Sequence, residues 1–263
     1  MYECTRLEMR MKILHLYHDI MNLYGEYANV SALKRMLDNN GVPCEVETLS
    51  IGDSLQFMDY DFIYVGSGTE SNQKYILEHL KQYKEELKSY VEEGRFLLMT
   101  GNSFEILGKE ITDAKGKKQE GLGFFDFTVT EQERTRDTAD AVFNLLEGQG
   151  NTADDTVSNR ENGIKKLVGF INKCSTIQGI TNPLFQVEMG LGNEKKGQTE
   201  GIRYKNFYGT HLTGPMLIKN PYFLIRLASD LCGKEMDGEY LTYEKAGYEI
   251  TLRELSKRVE SKV

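Results

Sequence analysis

The stretch 95–108, which reads RFLLMTGNSFEILG, constrains the fold of this chain more than any other. An apolar run from Phe96 to Met99 stops at Gly101, and a short apolar-periodic segment then ends at Gly108. This pattern predicts a strand, a tight turn and a helix, the arrangement in which an enzyme exposes a nucleophile above a parallel sheet. The turn carries no cysteine, and its hydroxyl groups only flank Gly101. The sequence therefore has the frame of a nucleophile site without its expected nucleophile.

Composition narrows the functional class. The formal charge of −8 argues against a general nucleic-acid binder, because phosphate binding needs clustered Lys and Arg. No apolar run is long enough to span a bilayer, and the polar N-terminus is unlike a signal peptide, so we expect a cytoplasmic protein. The four cysteines are scattered without CxxC or zinc-ligand spacing. Because there is also no P-loop GxxxxGK[ST], we expect neither a metal nor a cofactor.

The first half of the chain alternates between strand and helix patterns. Predicted strands lie at 12–17, 42–49, 61–65 and 95–99, and predicted helices at 28–40 and 72–93. Gly41 is a plausible stop for the first helix. This alternation predicts βαβ units and a parallel sheet, whose glycine-rich strand ends at 66–68 and 101 would form a ligand crevice.

The second half is patterned differently. Short strands are predicted at 124–130, 138–146, 165–170, 185–189 and 201–208, and a helix at 219–232. Segments 147–163 and 190–200 are polar and glycine-rich, which predicts mobile surface loops. We divide the chain into an N-terminal extension (1–11), one main domain (12–235) and a charged tail (236–263). The tail is compatible with a docking helix or with a frayed end.

Four stretches resemble one family when taken together. They are HLYHDIMNLYGEYANVSALKRML at 15–37, DYDFIYVGSGTESNQ at 59–73, GNSFEILG at 101–108 and EGIRYKNFYGTHLTGPMLIKNP at 200–221. They are similar to segments of the class I glutamine amidotransferases of the cobyric acid synthase (CobB/CobQ) type. The greatest similarity is to the GatD-type amidotransferase subunits of lipid II isoglutaminyl synthase. The resemblance implies a flavodoxin-like α/β fold with a central, mostly parallel sheet flanked by helices.

The resemblance also implies a reaction. In that family a cysteine in the elbow motif CGGYQxLG attacks the side-chain amide of glutamine, and a histidine in LHGP moves the proton. The released ammonia passes to a partner, which for this subfamily is a Mur-ligase-like (MurT-type) subunit that amidates lipid II in peptidoglycan biosynthesis. A thiolate suits this role because an amide is a poor electrophile, and a paired imidazole keeps the thiol ionised.

This chain departs from that pattern at both catalytic positions. The family's cysteine falls on Gly101, and its histidine falls on Thr213, since LTGP stands where the family has LHGP. Glycine has no side chain for attack, and threonine is not a base near neutral pH. Loss of both members together indicates a pseudoenzyme.

Three other side chains are candidates for a relocated dyad. Ser103 lies two residues beyond Gly101, and we interpret it as a helix-cap hydroxyl. His211 replaces the aromatic residue of the motif GTYLHGP, and we interpret it as packing or a polar lining. Cys174 follows a GFIN segment similar to the family's GFEN, and we interpret it as an incidental buried thiol.

The floor of a ligand site is retained. Gly66, Ser67 and Gly68 would present backbone N–H groups, although Ser67 replaces a glycine of the family's GGGQDxEQ. Asn102 occupies the position after the elbow. Arg136 falls on an arginine expected to bind the glutamine carboxylate through a bidentate contact, with Arg134 as the alternative in a loosely aligned region.

Three functional hypotheses remain open at this point. The chain is a catalytically inactive partner or regulatory subunit of a Mur-ligase-like enzyme, an active glutaminase with a relocated dyad, or a sensor that binds glutamine or another amino acid without chemistry. Glu105, which replaces the motif's neutral glutamine, would disfavour an anionic intermediate in the second case.

Overall fold

The computed structural model describes residues 10–133, 135–146 and 166–260. The strands of this part of the chain are β1 (Met11–Leu16), β2 (Cys44–Leu49), β3 (Phe62–Val65), β4 (Phe96–Thr100), β5 (Glu110–Thr112), β6 (Lys118–Glu120), β7 (Thr128–Glu131), β8 (Asp137–Leu145), β9 (Lys166–Lys173), β10 (Ser175–Gln178), β11 (Phe185–Met189), β12 (Thr199–Glu200), β13 (Ile202–Tyr204), β14 (Phe207–Thr210) and β15 (Leu212–Thr213). The α-helices are α1 (Tyr27–Asn39), α2 (Glu70–Leu80), α3 (Lys84–Glu92), α4 (Met216–Lys219), α5 (Pro221–Cys232) and α6 (Thr242–Glu260). A 3₁₀-helix at Gly101–Leu107, called here the elbow segment, follows β4.

The central sheet has six strands in the order β13-β14-β4-β3-β1-β2. All neighbours pair in parallel except β13, which runs antiparallel to β14 at one edge. The order of the five parallel strands is the flavodoxin-like order. Its inner strands are buried on both faces, which explains why β3 reads as an uninterrupted apolar run. The predicted fold class is confirmed.

Two smaller sheets complete the architecture. One contains β10-β7-β5-β6 and the other β12-β11-β8-β9-β15. The chain crosses from the central sheet to the five-stranded sheet at His211, because this residue alone separates β14 from β15. Thr213 then pairs with Phe170 of β9. The predicted site residues of the last motif therefore lie where these two sheets meet.

Helix α1 forms because its apolar residues recur at helical spacing. Val30, Leu33, Met36 and Leu37 are all buried, as the sequence predicted for 28–40. Gly41 follows the helix with φ +66°, a left-handed conformation that glycine adopts without a steric cost. The predicted helix stop is confirmed.

Three sequence predictions are corrected. The helix predicted at 72–93 is two helices, because Tyr83 leaves the helical region with φ −113° and ψ 16°. The strand predicted at 201–208 is the hairpin β13–β14, which turns at Lys205 with φ +51°. The segment 190–200, predicted as a mobile surface loop, is anchored: Asn193 exchanges two hydrogen bonds of 3.0 Å with the backbone of Gly201, and Glu200 is fully buried.

The ends of the chain differ from each other. Met11 belongs to β1 rather than to the predicted extension 1–11, while residues 1–9 lie outside the described residues, as does the predicted loop 147–163. In the tail, α6 is a docking helix rather than a frayed end, because Tyr248 and Leu255 are buried and the Tyr248 hydroxyl donates to Lys166 O at 2.8 Å. Within the described ranges, no helix is both long and apolar enough to cross a membrane.

Candidate functional site

The elbow predicted after β4 is present and is occupied by glycine. Gly101 is buried and adopts φ +65°, which a residue with a Cβ takes up only at a steric cost. The elbow segment that follows is a 3₁₀-helix rather than the predicted α-helix. The strained turn of a nucleophile site is therefore retained without a side chain on it.

Ser67 fills the space in which a side chain at position 101 would begin. A Cβ built on Gly101 would overlap the Cβ of Ser67, and would also lie 3.2 Å from the Ser67 hydroxyl oxygen. Ser67 is itself buried, so neither group has solvent to move into. Serine at 67 and a side chain at 101 are mutually exclusive in this geometry.

The two glycines beside Ser67 permit a close approach of the 17–25 loop. A Cβ at Gly66 would overlap Met21 O, and one at Gly68 would overlap Met21 Sδ. The Gly68 N–H donates to Asn102 Oδ1 at 3.1 Å. The expectation that this N–H group is available to a ligand is therefore wrong, since the side chain of Asn102 already binds it.

Thr213 is turned away from a catalytic role. It is buried, and its hydroxyl donates to Phe170 O across the β15–β9 pair at 3.2 Å. The next amide, Gly214 N–H, donates to Glu26 Oε1 at 3.1 Å. The segment that carries the family's histidine is thus held by backbone contacts and by a buried carboxylate.

Glu26 is a buried site residue that the sequence analysis missed. Its carboxylate accepts hydrogen bonds from Thr100 Oγ1 at 2.7 Å, from Asn29 Nδ2 at 3.1 Å and from the Tyr64 hydroxyl. Burial raises the pKa of Glu26. Its only signal in the sequence is an acidic residue immediately before the apolar-periodic helix α1.

Ser103 is not placed as a nucleophile. It is fully buried, and its hydroxyl donates to Thr100 O at 2.8 Å and to Val65 O at 3.2 Å. The predicted helix-cap role is also wrong, because the hydroxyl binds carbonyl groups at the strand ends instead of accepting from a helical N–H. No base lies among these partners.

His211 was expected to pack or to line the site, and the structure shows it packed: its ring lies edge-on against Phe104 and contacts two carboxyl groups. Its Nε2 lies 3.0 Å from Glu105 Oε1, and its Nδ1 lies 3.0 Å from Glu200 Oε1. The three side chains are essentially inaccessible to solvent. Both ring nitrogens are therefore occupied, and neither is directed at a substrate hydroxyl or thiol.

Arg136 lies at the predicted pocket but is already paired. Its Nη1 forms an ion pair with Glu70 Oε1 at 2.6 Å, and its Nε donates to Asn172 Oδ1 at 2.6 Å. The alternative, Arg134, lies outside the described residues. Because both edges of the guanidinium are engaged, a ligand carboxylate would have to displace Glu70 or Asn172.

Cys174 borders the same pocket, contrary to its interpretation as an incidental thiol. Its Sγ donates to Glu70 Oε1 at 3.0 Å. Burial, and then the hydrogen bond and charge of Glu70, raise the pKa of this thiol to about 12. At neutral pH it is a protonated thiol, and a protonated thiol is a poor nucleophile.

The structure brings together most of the predicted binding residues. Ser67, Gly68, Gly101, Asn102 and Arg136 all line one pocket, whereas Gly66 and Thr213 do not. The cavity has a volume of only about 10 Å³, which is room for about one water molecule. No group of three or more His, Cys, Asp or Glu side chains within residues 10–133, 135–146 and 166–260 is arranged to hold a metal ion.

The flavodoxin-like sheet places this chain in the class of α/β proteins. The nucleophile-type elbow at the end of β4 marks a candidate site for acyl transfer. The sequence matches the CobB/CobQ-like glutamine amidotransferase domain over residues 12–221, and the chain belongs to that family.

Known proteins agree with this assignment. The chain is 30% identical to the GatD subunit of lipid II isoglutaminyl synthase (glutamine-hydrolyzing) from Staphylococcus aureus, over 87% of this chain and 90% of that protein. It is 28% identical to the GatD subunit from Streptococcus pneumoniae, over 86% of this chain and 82% of that protein. The crystal structure of a glutamine amidotransferase from Thermotoga maritima superimposes with a TM-score of 0.50 at 12% identity, covering 95% of this chain and 98% of that one, which supports the fold alone.

Proposed function

We propose that this chain is a non-hydrolysing GatD-type subunit that binds a Mur-ligase-like (MurT-type) partner in the cytoplasm and scaffolds or regulates it. The similarity to two GatD subunits over most of the chain supports the subunit role. In this proposal the partner activates a carboxyl group of the lipid II stem peptide and uses free ammonia, because its companion subunit does not release ammonia from glutamine.

The observation that carries the loss of hydrolysis is the overlap at the elbow. Amide hydrolysis by this type of site needs a side-chain nucleophile on the turn and a base beside it. Here Gly101 supplies no nucleophile, Ser67 occupies the space that one would need, and Thr213 supplies no base. Three residues, and not a single substitution, therefore weigh against hydrolysis of the amide.

An active glutaminase with a relocated dyad is the second candidate function. Its best nucleophile and base, Ser103 and His211, are both buried and saturated with other hydrogen bonds. Cys174 borders the pocket, but its raised pKa disfavours the thiolate. These contacts weigh against the second candidate.

An amino-acid sensor is the third candidate. A cavity of about 10 Å³ leaves no room for glutamine unless the pocket opens, and Arg136 would have to exchange Glu70 for the ligand. A rise in the midpoint of thermal unfolding on adding glutamine would favour this candidate, because a ligand that binds only the folded state stabilises it. We expect no rise with glutamine at millimolar concentration.

The test of hydrolysis is ammonia release from glutamine by the purified chain, alone and with its candidate ligase. We compare wild type with Gly101→Cys/Thr213→His, with Ser67→Gly/Gly101→Cys/Thr213→His, and with Ser67→Gly as the matched control. We expect wild type, the control and the double variant to be silent, because the thiol-bearing Cβ of the double variant overlaps Ser67. Only the triple variant has the dyad without the overlap of the two Cβ atoms, and the Cα of residue 67 then lies 3.2 Å from the new Cβ, so residue 67 must shift by a few tenths of an ångström.

Release of ammonia by wild type at the rate of a working amidotransferase would overturn the proposal. The partner role has a separate test, in which the chain is co-expressed with a Mur-ligase-like protein and the purified complex is supplied with lipid II and ATP. We expect amidation with ammonium chloride and none with glutamine. Purification of the chain without any ligase-like partner would count against the scaffold role.

A further inference from the structure

Three buried side chains in contact with one another connect the elbow segment to the end of the central sheet. Glu105, on the elbow segment, and Glu200, on β12, both lie 3.0 Å from ring nitrogens of His211. The ring therefore bridges the two carboxyl groups through both of its nitrogens.

The first carboxylate is satisfied by three separate parts of the fold. Glu105 accepts from His211, from Gln73 Nε2 of α2 at 2.8 Å, and from the Ser175 hydroxyl of β10. Gln73 Nε2 also donates to Asn102 O within the elbow segment, at 2.6 Å. The elbow segment is therefore anchored through Glu105 to elements on several sides.

The second carboxylate is satisfied mainly within its own neighbourhood. Glu200 accepts from Thr210 Oγ1 at 2.7 Å and from the His211 backbone N–H at 2.8 Å, in addition to the ring. Lys173 is buried nearby and donates to Asn193 O and Gly192 O. The second carboxyl group is thus held by the side chain of Thr210 and by the backbone and ring of His211.

Both partners of the central contact are departures from the family motifs. Glu105 stands where CGGYQxLG has glutamine, and His211 stands where GTYLHGP has tyrosine. The two side chains contact each other directly, at 3.0 Å, so the two departures are physically coupled.

We propose that the Glu105–His211 pair is a positioning tie that holds the elbow segment against residues 210–213. These are the two segments that the family's cysteine and histidine would join, since the corresponding positions are Gly101 and Thr213. In this chain the link lies four residues further along the elbow segment and two residues earlier on the second segment. A hydrogen-bonded contact of 3.0 Å joins the two segments here, and both residues act through the segments that they hold.

A double-mutant cycle tests this coupling in the full-length protein. His211→Tyr removes the ring nitrogen that contacts the buried carboxyl group of Glu105, and we expect it to lower the midpoint of thermal unfolding by roughly 10 °C. Glu105→Gln removes the carboxyl group left without that contact, so Glu105→Gln/His211→Tyr should regain about half of that loss or more. Losses that simply add in the double variant would overturn the proposal.

A local measurement separates a tie from general stability. Amide hydrogen exchange should accelerate together in residues 101–107 and 210–214 of a His211→Gln variant, with β1 unchanged as the internal control. This variant also keeps the test valid if tyrosine does not fit at position 211. Acceleration in only one of the two segments, or equal acceleration throughout the sheet, would contradict the tie.

Discussion

Two buried carboxylates reach the elbow, and they are held in different ways. Glu26 accepts only from neutral groups, among them the hydroxyls of Tyr64 and Thr100 and the amide of Gly214. Glu105 accepts from a hydroxyl and an amide as well, but it also faces the imidazole of His211. Neutral donors do not cancel the cost of burying a charge, and burial accordingly raises the pKa of Glu26. The comparison teaches that this site holds one buried carboxyl group with neutral donors alone and the other with neutral donors and a histidine ring.

The largest change in stability that we expect comes from removing the two carboxylate oxygens of Glu26, which accept the buried hydrogen bonds. Glu26→Leu would leave the Gly214 N–H and one of the Tyr64 and Thr100 hydroxyl protons without an acceptor, because Asn29, Tyr64 and Thr100 then keep only the hydrogen bonds among themselves. Each unsatisfied buried donor costs about 1–3 kcal/mol, so the free energy of unfolding should fall by roughly 4 kcal/mol or more. Urea unfolding measures it, with the exposed Glu45→Leu as the control. A loss no larger than that of the control would mean that Glu26 does not organise the elbow.

A second variant tests whether Glu26 resists ionisation. Glu26→Gln keeps one acceptor and carries no charge, so we expect a loss of only about 1–2 kcal/mol at pH 7. Because the folded-state pKa is raised, wild type gains stability as pH falls through the folded pKa, until the unfolded-state value is also passed. Glu26→Gln lacks this gain. Unfolding curves measured between pH 7 and pH 4 should therefore favour wild type increasingly, and parallel curves would contradict the raised pKa.

A buried histidine without a carboxylate sharpens the comparison further. His15 packs beside Tyr64 and His18, and its Nε2 has no hydrogen-bond partner among the described residues. Burial, and then the charge of His18, lower its pKa from 6.5 to about 4. A lowered histidine pKa means that the unfolded chain binds the proton more readily, so stability is present above pH 6.5 and is lost between pH 6.5 and pH 4.

The size of this term follows from the shift. About 1.4 kcal/mol per pKa unit gives a contribution of roughly 3 kcal/mol over the window between pH 6.5 and pH 4. Replacing the ring by His15→Gln should flatten the pH dependence of stability in that window. The same pH series on His18→Gln keeps the buried ring but removes the second cause of the shift, so we expect it to reduce the slope less than His15→Gln does. An unchanged slope in His15→Gln would assign the pH dependence to other groups.

The smallest effect concerns an acid beside a thiol. Glu70 accepts from Cys174 and helps to raise the pKa of the thiol to about 12, after burial. Alkylation of Cys174 at pH 7.5 should be much slower than that of free cysteine, and Glu70→Gln should accelerate it a few-fold. Cys44 provides the internal control, because its pKa of about 11 has other causes, burial and then Asp38. Rapid labelling of Cys174 in wild type would place a reactive thiol in the pocket.

Much of the scaffold could be predicted because its signals are local. The apolar run of β3 and the helical spacing of Val30, Leu33 and Met36 specify their elements over a few residues. The hairpin at Lys205 was missed because a single non-glycine residue with φ +51° gives no turn signal. Glu200 was missed because it lies at the end of a polar, glycine-rich segment that resembles a surface loop. In the structure it is buried and accepts hydrogen bonds from Thr210 and His211, where the chain passes from β14 to β15.

The candidate site was predictable in its parts and not in its connections. The sequence by itself determined that residues 67, 101 and 213 are serine, glycine and threonine, because this depends only on residue identity within a motif. The tertiary structure alone decided that Ser67 occupies the space above Gly101, that Glu105 pairs with His211, and that Arg136 is bound by Glu70. The reason is physical: steric overlap and ion pairing fall steeply with distance, and the fold sets the distances between residues that are far apart in the chain.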